Sequence, residues 1–263
     1  GIIMDILKAT AGSYQWMGQS QSTPEVRKKI GTLLETPNFY HYLSAADNLR
    51  IAARIKGRGE EDIDEVLKTV NLYERRDSKF NTYSLGMKQR LAIASTLLGN
   101  PDILVFDEPT NGLDPAGIAE IRELIKSLNR QGKTIIMASH ILDEVEKVCT
   151  HVAIIQKGVL KTAGPVHEVM NTGSGERVDE ERMIELGADD NDALKAVLEQ
   201  LPGVTAVTVL ADGTLQVNCQ ESITASSINR YCFEKGIVLS KLYLKRKSLE
   251  TRFLEITGKQ SDR

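Results

Sequence analysis

Long apolar runs are missing from this 263-residue chain: none approaches the ~18 residues needed to cross a bilayer, so a membrane role has to come through a partner. Cysteine is scarce. Cys149, Cys219 and Cys232 are odd in number and form no CxxC pair, which argues against a disulfide framework and fits a reducing compartment. Positive charge is not in excess, with 33 Lys and Arg against 36 Asp and Glu, whereas a dedicated nucleic-acid binder carries a basic face. The one basic cluster, Lys241-Leu242-Tyr243-Leu244-Lys245-Arg246-Lys247, reads as a solvated strand edge. Gly1–Lys8 has no basic lead and no small-residue cleavage site, so it does not read as a signal peptide. Internal repeats and low-complexity tracts are absent. What remains, 41% hydrophobic and 26% charged residues, is an ordinary balance for a folded domain with a sizeable core.

The pattern is clearest between about 100 and 165. Ile103–Phe106 is a continuous apolar run, the pattern of a strand covered on both faces. Asp114-Pro115 opens a helix as N-cap and first residue, and Ile118, Ile121, Ile125 and Leu128 recur at helical spacing before Gly132 ends it. Thr134–Ala138 reads as a second buried strand, Ile141, Val145 and Val148 as a helix, and Val152–Ile155 as a third strand closed by Gly158. Strands alternating with helices predict an α/β fold with a parallel sheet. Residues 44–98 read as an inserted helical subdomain, with Met87, Leu91, Ala94 and Leu98 along one stripe and Leu67 and Val70 on a shorter helix.

Composition shifts at 171–182, a polar stretch with Gly and Ser that reads as a linker. Residues 183–263 then carry a strand at 183–186, a helix at 191–201 and a hairpin turned by Asp212-Gly213. A helix near 223–235, a strand at 237–244 and a last helix capped by Ser248 follow. That order predicts a small α+β domain of split βαβ type. Expected domains are thus a core over 1–170, the linker, and an accessory domain over 183–263.

Two acids end the first apolar strand: Asp107 and Glu108. Charges at the mouth of a buried strand are tolerated when they meet a cation or handle protons. In nucleoside triphosphatases the first such acid orients Mg²⁺, usually through water, and the second acts as base on the attacking water. Ser84 and Gly86 stand at a helix start, where free N–H groups and the positive dipole end attract phosphate; the same residues also make an ordinary N-cap. His151 and His167 have no partners at ligand spacing and read as surface residues.

The ordered set resembles the ATPase subunits of ABC transporters. Ser84-Leu85-Gly86-Met87-Lys88 is similar to the family's signature motif, Leu104–Glu108 to Walker B with its catalytic glutamate, Gly112–Pro115 to the D-loop, and His140 to the switch histidine. The segment Ile30–Tyr40 resembles the loop where most members carry glutamine; Glu35 stands there, as it often does in export subunits similar to those for peptide antibiotics. The run Phe39-Tyr40-His41-Tyr42-Leu43-Ser44 resembles those subunits too. Leu85 and Met87 depart from the usual glycine and glutamine, leaving Ser84 and Gly86 in place. GxxxxGKS or GxxxxGKT, the family's phosphate-binding loop, occurs nowhere; Gly132-Lys133-Thr134 is a decoy, since Ser127 stands at the first glycine and a strand follows. Gly1–Gly12 is similar to the helix end and turn that follow that loop in the family. The expectation is therefore a chain beginning just past the loop lysine, and hydrolysing ATP poorly by itself.

The resemblance implies a P-loop NTPase-like fold and a head-to-tail dimer, most simply of identical subunits, with two ATP molecules at the interface. Glu108 would polarise the attacking water, His140 hold the γ-phosphate, Asp107 position Mg²⁺ and Glu35 touch the metal or water. Ser84, Gly86 and Met87 of the other copy would close over the nucleotide, and Asp114 would report across the interface. The implied partners are a transmembrane permease and a second ATP-binding subunit, at the cytoplasmic face of the membrane, with no nucleic acid. A soluble ATPase acting on DNA or ribosomes, and a non-hydrolysing regulatory subunit, are the competing readings.

Overall fold

The computed structural model describes residues 2–4, 6–18, 23–34, 38–171, 182–220, 222–245 and 248–258. Packing divides the chain into two units, 1–144 and 145–263.

In the first unit a short helix α1 (Pro24–Lys28) leads into strand β1 (Ile30–Leu33). Three helices follow: α2 (Ala45–Lys56), α3 (Ile63–Thr69) and α4 (Leu85–Leu97), so the stretch from 44 to 98 is mostly helical as its periodicity predicts. Strand β2 (Ile103–Asp107), helix α5 (Pro115–Arg130), strand β3 (Thr134–Ala138) and helix α6 (Leu142–Val148) complete the alternation. The sheet is parallel, in order β1-β2-β3. Leu104 and Phe106 of the central strand are wholly buried.

Two expectations are corrected. Thr134–Ala138 is not a buried strand: it lies at the sheet edge, and its residues alternate between exposed and half-buried, with Ile136 exposed. An apolar run reads the same whether one neighbour covers it or two. The run at 152–155 does not continue a parallel series. It lies in β4 (His151–Gln156), which pairs antiparallel with β5 (Val159–Pro165). Lys157 and Gly158 both take positive φ, 50° and 76°, the two-residue turn whose twist suits a tight hairpin.

Helix α4 is held against β1 at close range. A methyl group on Gly31 would sit 2.4 Å from the Thr96 carbonyl oxygen, so only glycine lets strand and helix approach this far. Lys56, the last residue of α2, donates from Nζ to the Ser95 carbonyl at 2.6 Å, occupying an orphan acceptor in the last turn of α4. Burial strips water from this ammonium and brings its pKa down to about 8. The unfolded chain holds the same proton up to about pH 10.4. Between those values the unfolded state binds more protons, so Lys56 makes stability rise with pH across that window. Comparing denaturant midpoints at pH 7.5 and pH 10, the native chain should gain about 2 kcal/mol more than Lys56→Met over that interval. Equal pH dependence in the two proteins would show that the ammonium is not desolvated.

The second unit opens with the β4–β5 hairpin and helix α7 (Val166–Asn171). A four-stranded antiparallel sheet then forms from β6 (Arg182–Ala188), helix α8 (Asn191–Leu198), β7 (Val204–Val209), β8 (Leu215–Cys219), helix α9 (Ala225–Glu234) and β9 (Leu239–Lys245). The sheet order β7-β8-β6-β9 is that of a split βαβ fold, in agreement with the sequence pattern. Ile184, Leu186, Leu194, Leu198, Val217 and Ile228 are fully buried in its core, together with Cys219 and Cys232. Both cysteines are wholly buried and serve as small core residues, and burial raises the Cys232 thiol pKa.

The last helix, α10 (Leu249–Thr257), is capped by Ser248 as expected, its hydroxyl accepting from the Thr251 N–H at 3.2 Å. It packs on α7, where Arg252 Nε donates to the Val169 carbonyl at 3.1 Å, and its Leu249 N–H donates to Glu146 Oε2, near the end of α6, at 3.0 Å. The division by packing therefore falls at 144/145, upstream of the compositional shift at 171–182, most of which lies outside the described residues.

Candidate functional site

The carboxyl end of the parallel sheet gathers the acids and the histidine. Asp107 is the last residue of β2 and stands opposite Ala138, the last residue of β3. Glu108 N–H donates to the Ala138 carbonyl at 3.0 Å, extending the ladder by one step, and the Glu108 carbonyl accepts from Asn111 N–H at 3.2 Å. Between these bonds the Glu108 backbone is forced to φ 47°. A side chain in that left-handed region costs of order 1 kcal/mol or more and persists only where the surroundings over-determine it. The strain turns the carboxylate towards β3's exit, where Glu108 Oε2 lies 2.8 Å from His140 Nδ1. The glutamate side chain is 21% exposed and the histidine 67%, so the pair opens to solvent.

His140 is set by its neighbours. Ser139 Oγ accepts from the Ile141 N–H at 3.1 Å, fixing the turn between β3 and α6. One turn on, Glu144 is buried and accepts two bonds from Arg122 of α5, at 3.0 Å from Nε and 2.7 Å from the terminal nitrogen. This forked pair ties the helix after His140 to the helix that starts at Asp114. Sequence reasoning missed it. The signal was present, because Glu144 falls within the stripe of Ile141, Val145 and Val148 at three or four residues from two of its members. An acid inside an apolar stripe calls for a buried cation.

Ser84 caps α4, its Oγ accepting from the Met87 N–H at 3.3 Å. Ser84 is exposed, and Gly86 and Met87 are half-buried. Asp114 caps α5 in the same way, Oδ1 accepting from the Gly117 N–H at 2.9 Å. The two helix starts share a surface: a Cβ on Gly112 would lie 3.5 Å from a methyl group of Leu85. Among the described residues, no hydrogen bond or ion pair joins Ser84, Gly86 or Met87 to Asp107, Glu108 or His140. Within one chain the structure thus forms two groups: Asp107, Glu108 and His140 in one, Ser84, Gly86, Met87 and Asp114 in the other. Glu35 lies outside the described residues.

Among the described residues, no cluster of three or more His, Cys, Asp or Glu side chains forms a metal cage. Asp107 nevertheless fits Mg²⁺. Its carboxylate is exposed at the strand end and offers hard oxygens, and Mg²⁺ is commonly bound by one or two carboxylates, with water and phosphate oxygens completing the octahedron. The other histidines are engaged locally or lie in the open. His151 Nδ1 is 3.1 Å from its neighbour Thr150 Oγ1, and His167 is exposed beside Glu168.

A parallel sheet with acids at the carboxyl end of its central strand, and helix starts exposed beside it, defines an α/β domain of the P-loop NTPase class. The ABC transporter family profile matches residues 1–111. The chain is 36% identical over 269 residues to an uncharacterised ABC transporter ATP-binding protein, YhcH, from Bacillus subtilis (strain 168), covering 99% of this chain and 83% of that one. It is 34% identical over 261 residues to the bacitracin transport ATP-binding protein BcrA of Bacillus licheniformis, covering 98% of this chain and 83% of the relative. Among solved structures it resembles cbiO1 from Clostridium perfringens, described as part of the ABC transporter complex cbiONQ. That match has a TM-score of 0.57 and 29% identity over 63% of this chain and 70% of the other. The chain belongs to the ABC transporter ATP-binding family. No helix among the described residues is long and apolar enough to cross a membrane.

Proposed function

We propose that this chain is the ATP-hydrolysing subunit of an exporter, and that it drives transport by closing head-to-tail on a second subunit of the same kind. The observation that carries the reading is the Glu108–His140 contact of 2.8 Å at the strand end. A carboxylate there polarises a water for attack on the γ-phosphate, and the histidine beside it holds that phosphate in line. Asp107 would hold Mg²⁺, which would supply positive charge to offset that of the phosphates. Glu35 is a second candidate contact to metal or water. The Ser84-Gly86-Met87 helix tip belongs to the opposite subunit's nucleotide, since among the described residues no hydrogen bond or ion pair joins it to Asp107, Glu108 or His140. A helix start attracts phosphate through its N–H groups and positive dipole end, and Asp114 at the start of the next helix couples one site to the other.

The family's GxxxxGKS or GxxxxGKT loop is the part of the site that these 263 residues do not contain. Each charge-assisted bond from such a loop is worth roughly 1.5–3 kcal/mol. Three of them amount to about a thousandfold or more in affinity, so the 263 residues alone bind and hydrolyse ATP poorly.

Similarity to the bacitracin transport protein BcrA and, at 41% identity over 157 residues, to the lantibiotic transport protein SrtF of Streptococcus pyogenes favours peptide antibiotics as cargo. The partner is a transmembrane permease, and the subunit works at the cytoplasmic face of the membrane without nucleic acid. Residues 183–263 form an accessory domain of this subunit. Extraction with mild detergent should yield the chain together with a multi-span membrane protein encoded beside its gene. Recovery of the chain free of any membrane protein, with ATP turnover undiminished, would defeat the transporter reading.

A further inference from the structure

Among the described residues the C-terminal sheet ends in an open edge: strand β9 pairs with β6 alone, and no hydrogen bond reaches the backbone of its outer side. Its apolar residues are unusually open for their position. Leu242 and Leu244 stand opposite Leu186 and Ile184, both wholly buried, yet they are 37% and 43% exposed, and Tyr243 is 60% exposed. Edge strands are ordinarily blunted by shortness, proline or inward charges. This one has seven residues and no proline, and Lys241, its described lysine, is engaged by carboxylates of its own sheet. Lys241 Nζ lies 3.5 Å from Glu185 and 3.4 Å from Asp212, both carboxylates of the same sheet unit. The described part of the basic cluster is therefore an edge able to accept another strand, while Arg246 and Lys247 lie outside the described residues.

We infer that β9 pairs antiparallel with β9 of a second copy of this chain, joining two four-stranded sheets into one. The sequence of the strand selects both partner and register. Side chains alternate along a strand, so a two-fold pairing that keeps the leucines of both copies on the helix-covered face must be centred on a residue. Centring on Lys241 sets lysine against lysine, and centring on Tyr243 sets Lys241 against Lys245; like charges directly opposite are destabilising. Centring on Leu244 runs out of strand at Lys245. Centring on Leu242 sets Leu242 against Leu242 and Lys241 against Tyr243, an apolar pair flanked by two cation–aromatic pairs. Centring on Ser240 leaves only Leu239 against Lys241 within the strand, so the Leu242 register is the longest that sets no lysine against lysine. The pairing needs no nucleotide, so it stands apart from the ATP-driven closure proposed above.

The test uses the whole chain without ATP. By analytical ultracentrifugation the native protein should sediment as a dimer and Leu242→Lys as a folded monomer, with unchanged circular dichroism. In a Cys149→Ala background, Leu242→Cys should cross-link under mild oxidation at least about tenfold more than Tyr243→Cys, because only position 242 faces its own copy within disulfide reach. A native chain that stays monomeric at the highest soluble concentration overturns the proposal. So does cross-linking at 243 that equals that at 242, and so does a Leu242→Lys variant that remains dimeric.

Discussion

Glu108→Gln, made in a protein that carries the family's phosphate-binding loop, should lower ATP turnover by the assembled transporter roughly 10²- to 10⁴-fold while ATP still binds, the cost of losing a positioned base. The substitution is nearly isosteric. It keeps an oxygen for the contact that His140 now makes at 2.8 Å and leaves the strained backbone at φ 47° as it is, so the fold should survive. ATP that cannot be hydrolysed keeps the interface closed, and gel filtration with ATP should show a stable dimer. A His140→Ala variant is a useful contrast: it removes the phosphate contact and leaves the base, so turnover falls without the nucleotide-held dimer. Normal turnover in Glu108→Gln would remove the central assignment, because no other described carboxylate touches His140.

Much of this site is written in local pattern. The apolar run from Ile103 to Phe106 with two acids after it reads as a strand with a charged mouth, and it is one, although Leu104 and Phe106 are buried and Ile103 and Val105 only half-buried. Ser84, Asp114 and Ser248 each announce a helix start, and each does accept the N–H three residues on. The Asp212-Gly213 turn and the order of elements after residue 182 were legible for the same reason, because hairpin and cap chemistry act over a few residues. What escaped depends on distant partners. The left-handed backbone of Glu108 is imposed by the Ala138 carbonyl on another strand, and nothing around a glutamate signals it. The Arg122–Glu144 fork joins residues 22 apart in sequence. The edge position of β3, and the assignment of the run at 152–155 to a hairpin, depend on which strand comes next in space. Strand β1 was read only as part of a loop segment. Four residues including a glycine carry little periodic signal, and its place in the sheet is set by the approach of α4 at Gly31.

Gly86→Asp separates the proposed role of the α4 tip from its structural role. Gly86 is the second residue of α4, and a Cβ built on it meets no atom within 4 Å. The fold therefore has room for a side chain, unlike at Gly31, where a Cβ collides with backbone. An aspartate in the first turn of a helix interacts favourably with the dipole, by about 0.3–1 kcal/mol, so the melting temperature should hold or rise slightly. If this tip closes over a partner's triphosphate, the new carboxylate sets negative charge against negative charge. At about 4 Å and an effective dielectric constant near 20 that costs about 4 kcal/mol, roughly a thousandfold. In the same loop-bearing protein ATP turnover should fall by that order, while nucleotide binding to an isolated subunit changes little. Mixing the Gly86→Asp and Glu108→Gln proteins sharpens the result. In a head-to-tail pair one composite site would carry both defects and the other neither, so the mixture should recover a fraction of native turnover that neither variant shows alone. Inactivity of the mixture, with both proteins folded and bound to the permease, would mean that tip and base belong to one chain's own site and that the subunits do not share their nucleotides.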